Sequence, residues 1–179
     1  MIYMFLADGF EEVEALCPLD LMRRAGLSVT TVGIGKRNII GAHNIIVTAD
    51  ISDNELSLND TEMIFLPGGM PGTLNLAASK TVIDAIKYAD VNDIYIAAIC
   101  AAPSILGDMG LLHGKEAICY PGFEDRLTGA ILSNKKVVRS GKIITAAGMG
   151  VALEMGLCII EALISKDKAE EIRTVVIAK

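Results

Sequence analysis

The sequence predicts an α/β fold, a mostly parallel sheet with helices on both faces. Three observations lead there. Short apolar runs alternate with stretches of helical period along the whole chain. The run Ile94–Ile99 is apolar throughout, as expected of a parallel strand buried on both faces. The chain has 179 residues, 52% of them apolar, enough for one domain, residues 1–179, with a full core.

Element by element, Ile2–Leu6 is the first strand and Phe10–Ala25 the first helix, with Asp8 and Glu11 placed as a capping pair. Gly26 ends that helix, and Leu27–Val32 is the second strand. Ile45–Thr48 is half of a hairpin. Met63–Leu66 is a strand that runs into the turn Pro67-Gly68-Gly69. Thr81–Ala89 is a helix, Ile94–Ile99 a strand and Ala101–Met109 a helix. Strands at Ala117–Cys119, Val137–Val138 and Ile143–Ala146 follow, then helices Val151–Ile164 and Lys168–Val175.

Composition narrows the function. A net charge of −6 and the lack of a basic stripe argue against nucleic acid as a partner. No apolar run reaches the ~20 residues of a membrane helix. Met1–Leu6 lacks a basic leader and a cleavage site, so it reads as a strand and not a signal peptide. The four cysteines, Cys17, Cys100, Cys119 and Cys158, form neither a CxxC pair nor a Cys/His cluster. No metal is expected. Reduced thiols in the cytoplasm are.

Sheets of this kind bind ligands beyond the C-terminal ends of their strands. Cys100 stands at such an end, followed by Ala101-Ala102-Pro103. Small residues allow a sharp strand-to-helix turn there, and Pro103 suits a first helical turn. At a helix N-terminus the thiol would have its pKa lowered. Read without that setting, Cys100 is a small buried hydrophobe, as the other three cysteines are read. Glu14 shares a helix face with Cys17, Pro18 and Leu21, a face that should point inward. A carboxylate there must find a partner or stay protonated. The alternative is a solvated acidic first turn, which is how Glu11 and Glu12 read. In Pro67-Gly68-Gly69 the paired glycines let backbone N–H groups approach a ligand, so Gly69 and Ala101 could form an oxyanion hole; otherwise the segment is simply a turn.

Five stretches then carry a resemblance: Gly9–Ala15 (GFEEVEA), Asp20–Gly26 (DLMRRAG), Leu66–Met70 (LPGGM), Ala97–Pro103 (AAICAAP) and Cys119–Pro121 (CYP). In this order the chain resembles the ThiJ/PfpI superfamily, in its DJ-1 branch. The resemblance implies a flavodoxin-like three-layer sandwich, class I glutamine amidotransferase-like, that forms a homodimer. It places the reactive cysteine at Cys100, the buried glutamate at Glu14 and the backbone donors at Gly69 and Ala101. It implies a small reactive-carbonyl substrate, with methylglyoxal or glyoxal converted to the hydroxy acid without cofactor. Deglycation, chaperone-like protection and oxidative-stress sensing are further activities of relatives. Many relatives carry a histidine where this chain has Tyr120, and some an arginine where it has His43. Ala147-Gly148-Met149-Gly150 replaces a stretch that is often Arg-Gly-Pro-Gly, so an anion-binding arginine is missing.

The expectation is a cofactor-free glyoxalase. Cys100 attacks the aldehyde, Glu14 moves the proton and Gly69 and Ala101 hold the oxyanion. Tyr120, His43 and Gly68 line the substrate. The rival is a redox sensor or protein-protective protein acting through Cys100 oxidation. A peptidase or amidase needs a base beside the cysteine, and Ala101 and Tyr120 supply none.

Overall fold

The computed structural model describes residues 1–178. Strand β1 (Ile2–Leu6) sends Ile2, Met4 and Leu6 into one core and Tyr3 and Phe5 into another. That alternation is the period of two of a strand buried on both faces. Helix α1 (Glu12–Arg24) follows, then β2 (Val29–Gly33). An antiparallel hairpin joins β3 (Asn38–Ile40) to β4 (Ile46–Thr48). Short β5 (Ile51–Ser52) precedes β6 (Met63–Leu66). Helices α2 (Gly72–Ala78) and α3 (Lys80–Val91) lead to β7 (Tyr95–Ile99) and α4 (Pro103–Asp108). The chain continues through β8 (Glu116–Ala117), β9 (Ile131–Leu132), β10 (Val137–Ser140) and β11 (Ile143–Ala146). It closes with α5 (Ala152–Leu163) and α6 (Lys166–Val175).

Seven strands form the central sheet, in the order β10-β11-β7-β6-β1-β2-β5. All neighbours are parallel except β10 and β11. One face carries α1, α5 and α6 over a core built on Met4, Phe65, Met22, Met155 and Ile159. The other carries α2, α3 and α4 over Phe5, Ile64, Leu76, Ile86 and Leu106. The result is the expected three-layer α/β sandwich. The order reverses at β1, flanked by β2 on one side and β6 on the other. Such a reversal opens a crevice beyond the strand ends.

Several expectations need correction. Asp8 is no capping partner: it accepts from the Ile40 N–H at 2.9 Å and the Lys36 Nζ at 2.7 Å. Glu11 is the N-cap alone, accepting from the Glu14 N–H at 2.7 Å. The helix therefore starts at Glu12 and not at Phe10. Glu12 is not solvated either, being 3% exposed. Its carboxylate takes the His43 N–H at 2.8 Å and the His43 Nδ1 at 2.9 Å, pinning the β3–β4 loop to α1. The Ala117–Cys119 strand shortens to Glu116–Ala117 and pairs with β9, outside the main sheet. Helix α2 has no counterpart among the elements expected from the sequence; Pro71 caps it and Gly72 is its first residue, neither of which signals a helix. Among the other cysteines only Cys119 is fully buried, while Cys17 and Cys158 are half-buried.

Candidate active site

Cys100 lies between β7 and α4 with φ +64°, the left-handed region that a residue with a Cβ adopts only under local strain. Its N–H donates to the Ala146 carbonyl at 2.9 Å and its carbonyl accepts from the Tyr120 N–H at 2.8 Å. Two neighbouring segments thus hold the turn from both sides. The small residues Ala101 and Ala102 complete it, and α4 begins only at Pro103. The thiol is half-buried.

Glu14 arrives from α1 and is 1% exposed. Its Oε2 accepts the Gly68 N–H at 3.1 Å. The Cys100 thiol is its neighbour across Gly68, and that thiol and the Met149 N–H both act on the carboxyl's charge. Gly68 is required by close approach: a Cβ there would lie 2.5 Å from Glu14 Oε2 and 2.6 Å from Cys100 Cβ. Gly69 has φ +91°, and a Cβ on it would lie 2.3 Å from the Glu11 nitrogen. The glycine pair after β6 is thus what lets α1 close down on the cysteine turn.

Burial pushes the Glu14 carboxyl up to about 7; the Glu11 charge adds to the rise, and the hydrogen bonds oppose it. Burial likewise pushes the Cys100 thiol up to about 12, with the neighbouring Glu14 charge adding to it. The N–H groups of Ala101 and Gly69 pull the thiol's pKa the other way. This corrects the expected lowered thiol pKa. Helix α4 spans six residues, so its dipole is weak, and desolvation beside an acid outweighs it. At neutral pH the cysteine therefore rests as a thiol beside a carboxyl that holds its proton well above the usual carboxylate range.

The structure brings Cys100, Glu14, Gly68, Gly69 and Ala101 together. Tyr120 stands beside them: a Cβ on Gly148 would lie 3.3 Å from its ring and 3.8 Å from Glu14 Oε1. His43 is held at the N-terminal end of α1, its Nδ1 2.9 Å from Glu12 Oε2. The Met149 backbone donor was missed. Ala147–Gly150 could be flagged only as following a strand, and a backbone N–H leaves no mark on residue type. Glu11, Glu12 and His43 place ligand atoms within 4.8 Å of one another, but each has protein partners.

A cysteine on a strained strand-to-helix turn, packed beside a buried glutamate from helix α1, defines a class of α/β proteins with a nucleophile-elbow thiol. The family model for the DJ-1/PfpI family matches residues 1–162, and the chain belongs to that family. It is 35% identical over 170 residues to protein DJ-1 homolog B of Arabidopsis thaliana, covering 93% of this chain and 39% of that protein. The chain thus spans less than half the length of that relative. It is 29% identical over 167 residues to the glutathione-independent glyoxalase DJR-1.2 of Caenorhabditis elegans, covering 90% of this chain and 87% of that one. The oxidized form of Toxoplasma gondii DJ-1 superposes with a TM-score of 0.95 at 31% identity, over 99% of this chain and 97% of that chain. No helix among the described residues is long and apolar enough to cross a membrane.

Proposed function

We propose that this chain is a cofactor-independent glyoxalase acting on methylglyoxal and glyoxal. The observation that supports it best is the buried Glu14 carboxyl packed with Cys100 around Gly68. The ionised Glu14 takes the thiol proton as sulfur bonds to the aldehyde carbon, and the carbonyl electron pair moves onto oxygen. In this reading the N–H groups of Gly69 and Ala101, which act on the sulfur's charge, receive that oxyanion. Returning the proton gives a hemithioacetal. Glu14 then removes the proton from the aldehyde carbon and, through an enediol, delivers it to the neighbouring carbonyl carbon. The product is a thioester, which water hydrolyses to the hydroxy acid and free thiol. The sequence is internally redox-neutral, so it balances without an external oxidant or reductant. The same thiol chemistry extends to glycated groups. A carboxyl titrating near 7 suits both proton acceptance and return at neutral pH.

The test is hydroxy-acid formation from methylglyoxal. Wild type should form lactate, and Cys100→Ala and Glu14→Gln should each lose at least about 100-fold. Lactate formation surviving in Cys100→Ala overturns the reading.

A second reading, oxidation sensing, has one observation in its favour. The half-buried Cys100 sulfur has an acid and two backbone N–H groups around it, donors that would also hold a sulfinate oxygen. Wild type without lactate formation, but with selective Cys100 oxidation by peroxide, would favour it. Part of the leading reading is a cytoplasmic homodimer. Exposed Val13, Ile45 and Ile46 surround the Glu12–His43 contact and offer an apolar face.

A further inference from the structure

A solvent-open depression of about 440 Å³ is lined by Tyr120, Pro121, Ala147, Met149, Val151 and Lys136. Gly148, also in its lining, stands near the acid: a Cβ on it would lie 3.8 Å from Glu14 Oε1. Its volume is in the ~300–1,000 Å³ range of small-molecule sites, and it is open enough to admit a substituent from the side. A three-carbon oxoaldehyde seated on Cys100 would leave it unfilled. Its walls are mostly apolar, with the flat Tyr120 ring on one side. Lys136 is exposed, and it is the one cationic side chain of the lining. Its neighbour Lys135 is held by Glu116 at 3.2 Å. Lys136 enters none of the ion pairs among the described residues.

We propose that this cleft is the substrate's side-chain subsite, taking a flat apolar substituent that ends in an anionic group held by Lys136. The inference rests on the glyoxalase reading for the seating of the aldehyde at Cys100. With the aldehyde carbon on sulfur and the second carbon facing Glu14, the substituent leaves past Gly148 into the cleft. An aromatic ring then lies along Tyr120. The far end must be negative to gain from the lysine, whose four-carbon stem lets the ammonium follow the ligand.

The test compares methylglyoxal, phenylglyoxal and 4-carboxyphenylglyoxal in wild type, Lys136→Gln and Lys136→Glu. Phenylglyoxal should have a KM at least about tenfold below that of methylglyoxal, as burial of an aromatic ring predicts. The carboxyl should add about three- to fivefold in kcat/KM, the size of a solvent-facing charge pair. Lys136→Gln should erase that increment and Lys136→Glu invert it, with methylglyoxal turnover unchanged in both. Equal kcat/KM for the two aryl substrates in wild type, or an increment that survives Lys136→Glu, overturns the proposal. A turnover-independent arm uses 4-acetylbenzoate, an aryl ketone with no aldehyde and a single far-end carboxylate, to protect Cys100 from iodoacetamide. Protection in wild type and its loss in Lys136→Glu upholds the subsite even if methylglyoxal is not converted, in which case only the glyoxalase reading falls. Methylglyoxal conversion without protection or aryl preference overturns the subsite alone.

Discussion

Gly68 shows how much chemistry hangs on one missing methyl group. Its N–H donates to Glu14 at 3.1 Å, and the space a Cβ would need is filled by the acid and by Cys100. Gly68→Ala must therefore push the two functional groups apart. A displacement of that kind typically costs about 100-fold in turnover, because the reacting atoms leave their aligned geometry. Comparing kcat/KM of Gly68→Ala with wild type, alongside a fold check by circular dichroism, measures this; unchanged turnover would show that the close approach is not needed. Glu12 is the second residue whose surroundings outweigh its type. Burial raises its carboxyl, but hydrogen bonds from the His43 ring and from the backbone N–H groups of the loop bring it below the usual range. Glu12→Ala leaves loop N–H groups unpaired and is expected to destabilise the fold by about 2–3 kcal/mol in urea titration. The Glu12 contribution is present above its unfolded pKa of about 4.5 and fades as pH falls through the lower folded value.

Among the elements, α1 does the most positioning. It carries Glu14 and Glu12, and it lies against α5 at Gly156. A Cβ there would sit 3.1 Å from the Pro18 Cα and 2.7 Å from Leu21 Cδ1. Pro18 donates no N–H to the helix, so this close seat on α5 helps hold α1 in place. Gly156→Val should cost about 1–3 kcal/mol by overpacking, a fall in Tm of roughly 3–10 °C in a chain of this size. A thermal melt checks it, and activity should fall more than stability alone accounts for, since α1 carries the acid. Helix α4 has the opposite part. Its six residues are too few to make a thiolate by dipole, so its contribution is the turn that aims the sulfur.

For the whole molecule, the raised Glu14 carboxyl makes a pH signature. Its folded pKa of about 7 lies above the unfolded value of about 4.5. Between those values the unfolded state has released a proton that the folded state still holds. Stability from this group is full below pH 4.5 and is lost as pH rises through 7, by about 3 kcal/mol in all. Glu14→Gln should flatten this slope and be more stable than wild type at pH 8, even as it loses activity. Chemical denaturation at pH 4.5, 6 and 8 decides it; a wild-type curve without that fall would contradict a buried, raised Glu14. Activity should rise with pH through about 7, as the carboxylate that accepts the thiol proton forms.

The sequence by itself determined the alternation of strands and helices, the two-sided burial of the sheet and the placing of Cys100 at a strand end. Apolar periodicity is a local property, and β1, β6 and β11 lie where it puts them. Periodicity left Glu14 open between an inward-facing acid and a solvated first turn, and the family motif chose the first. Only the tertiary structure decided what surrounds those groups. Glu12 and Glu14 are two residues apart on one helix, and both are buried, one under a hairpin and one against a thiol. The Met149 donor, the cleft past Gly148 and the upward shift of Cys100 likewise depend on segments far apart in the chain. Desolvation and hydrogen bonding are set by neighbours in space, and no residue type records them.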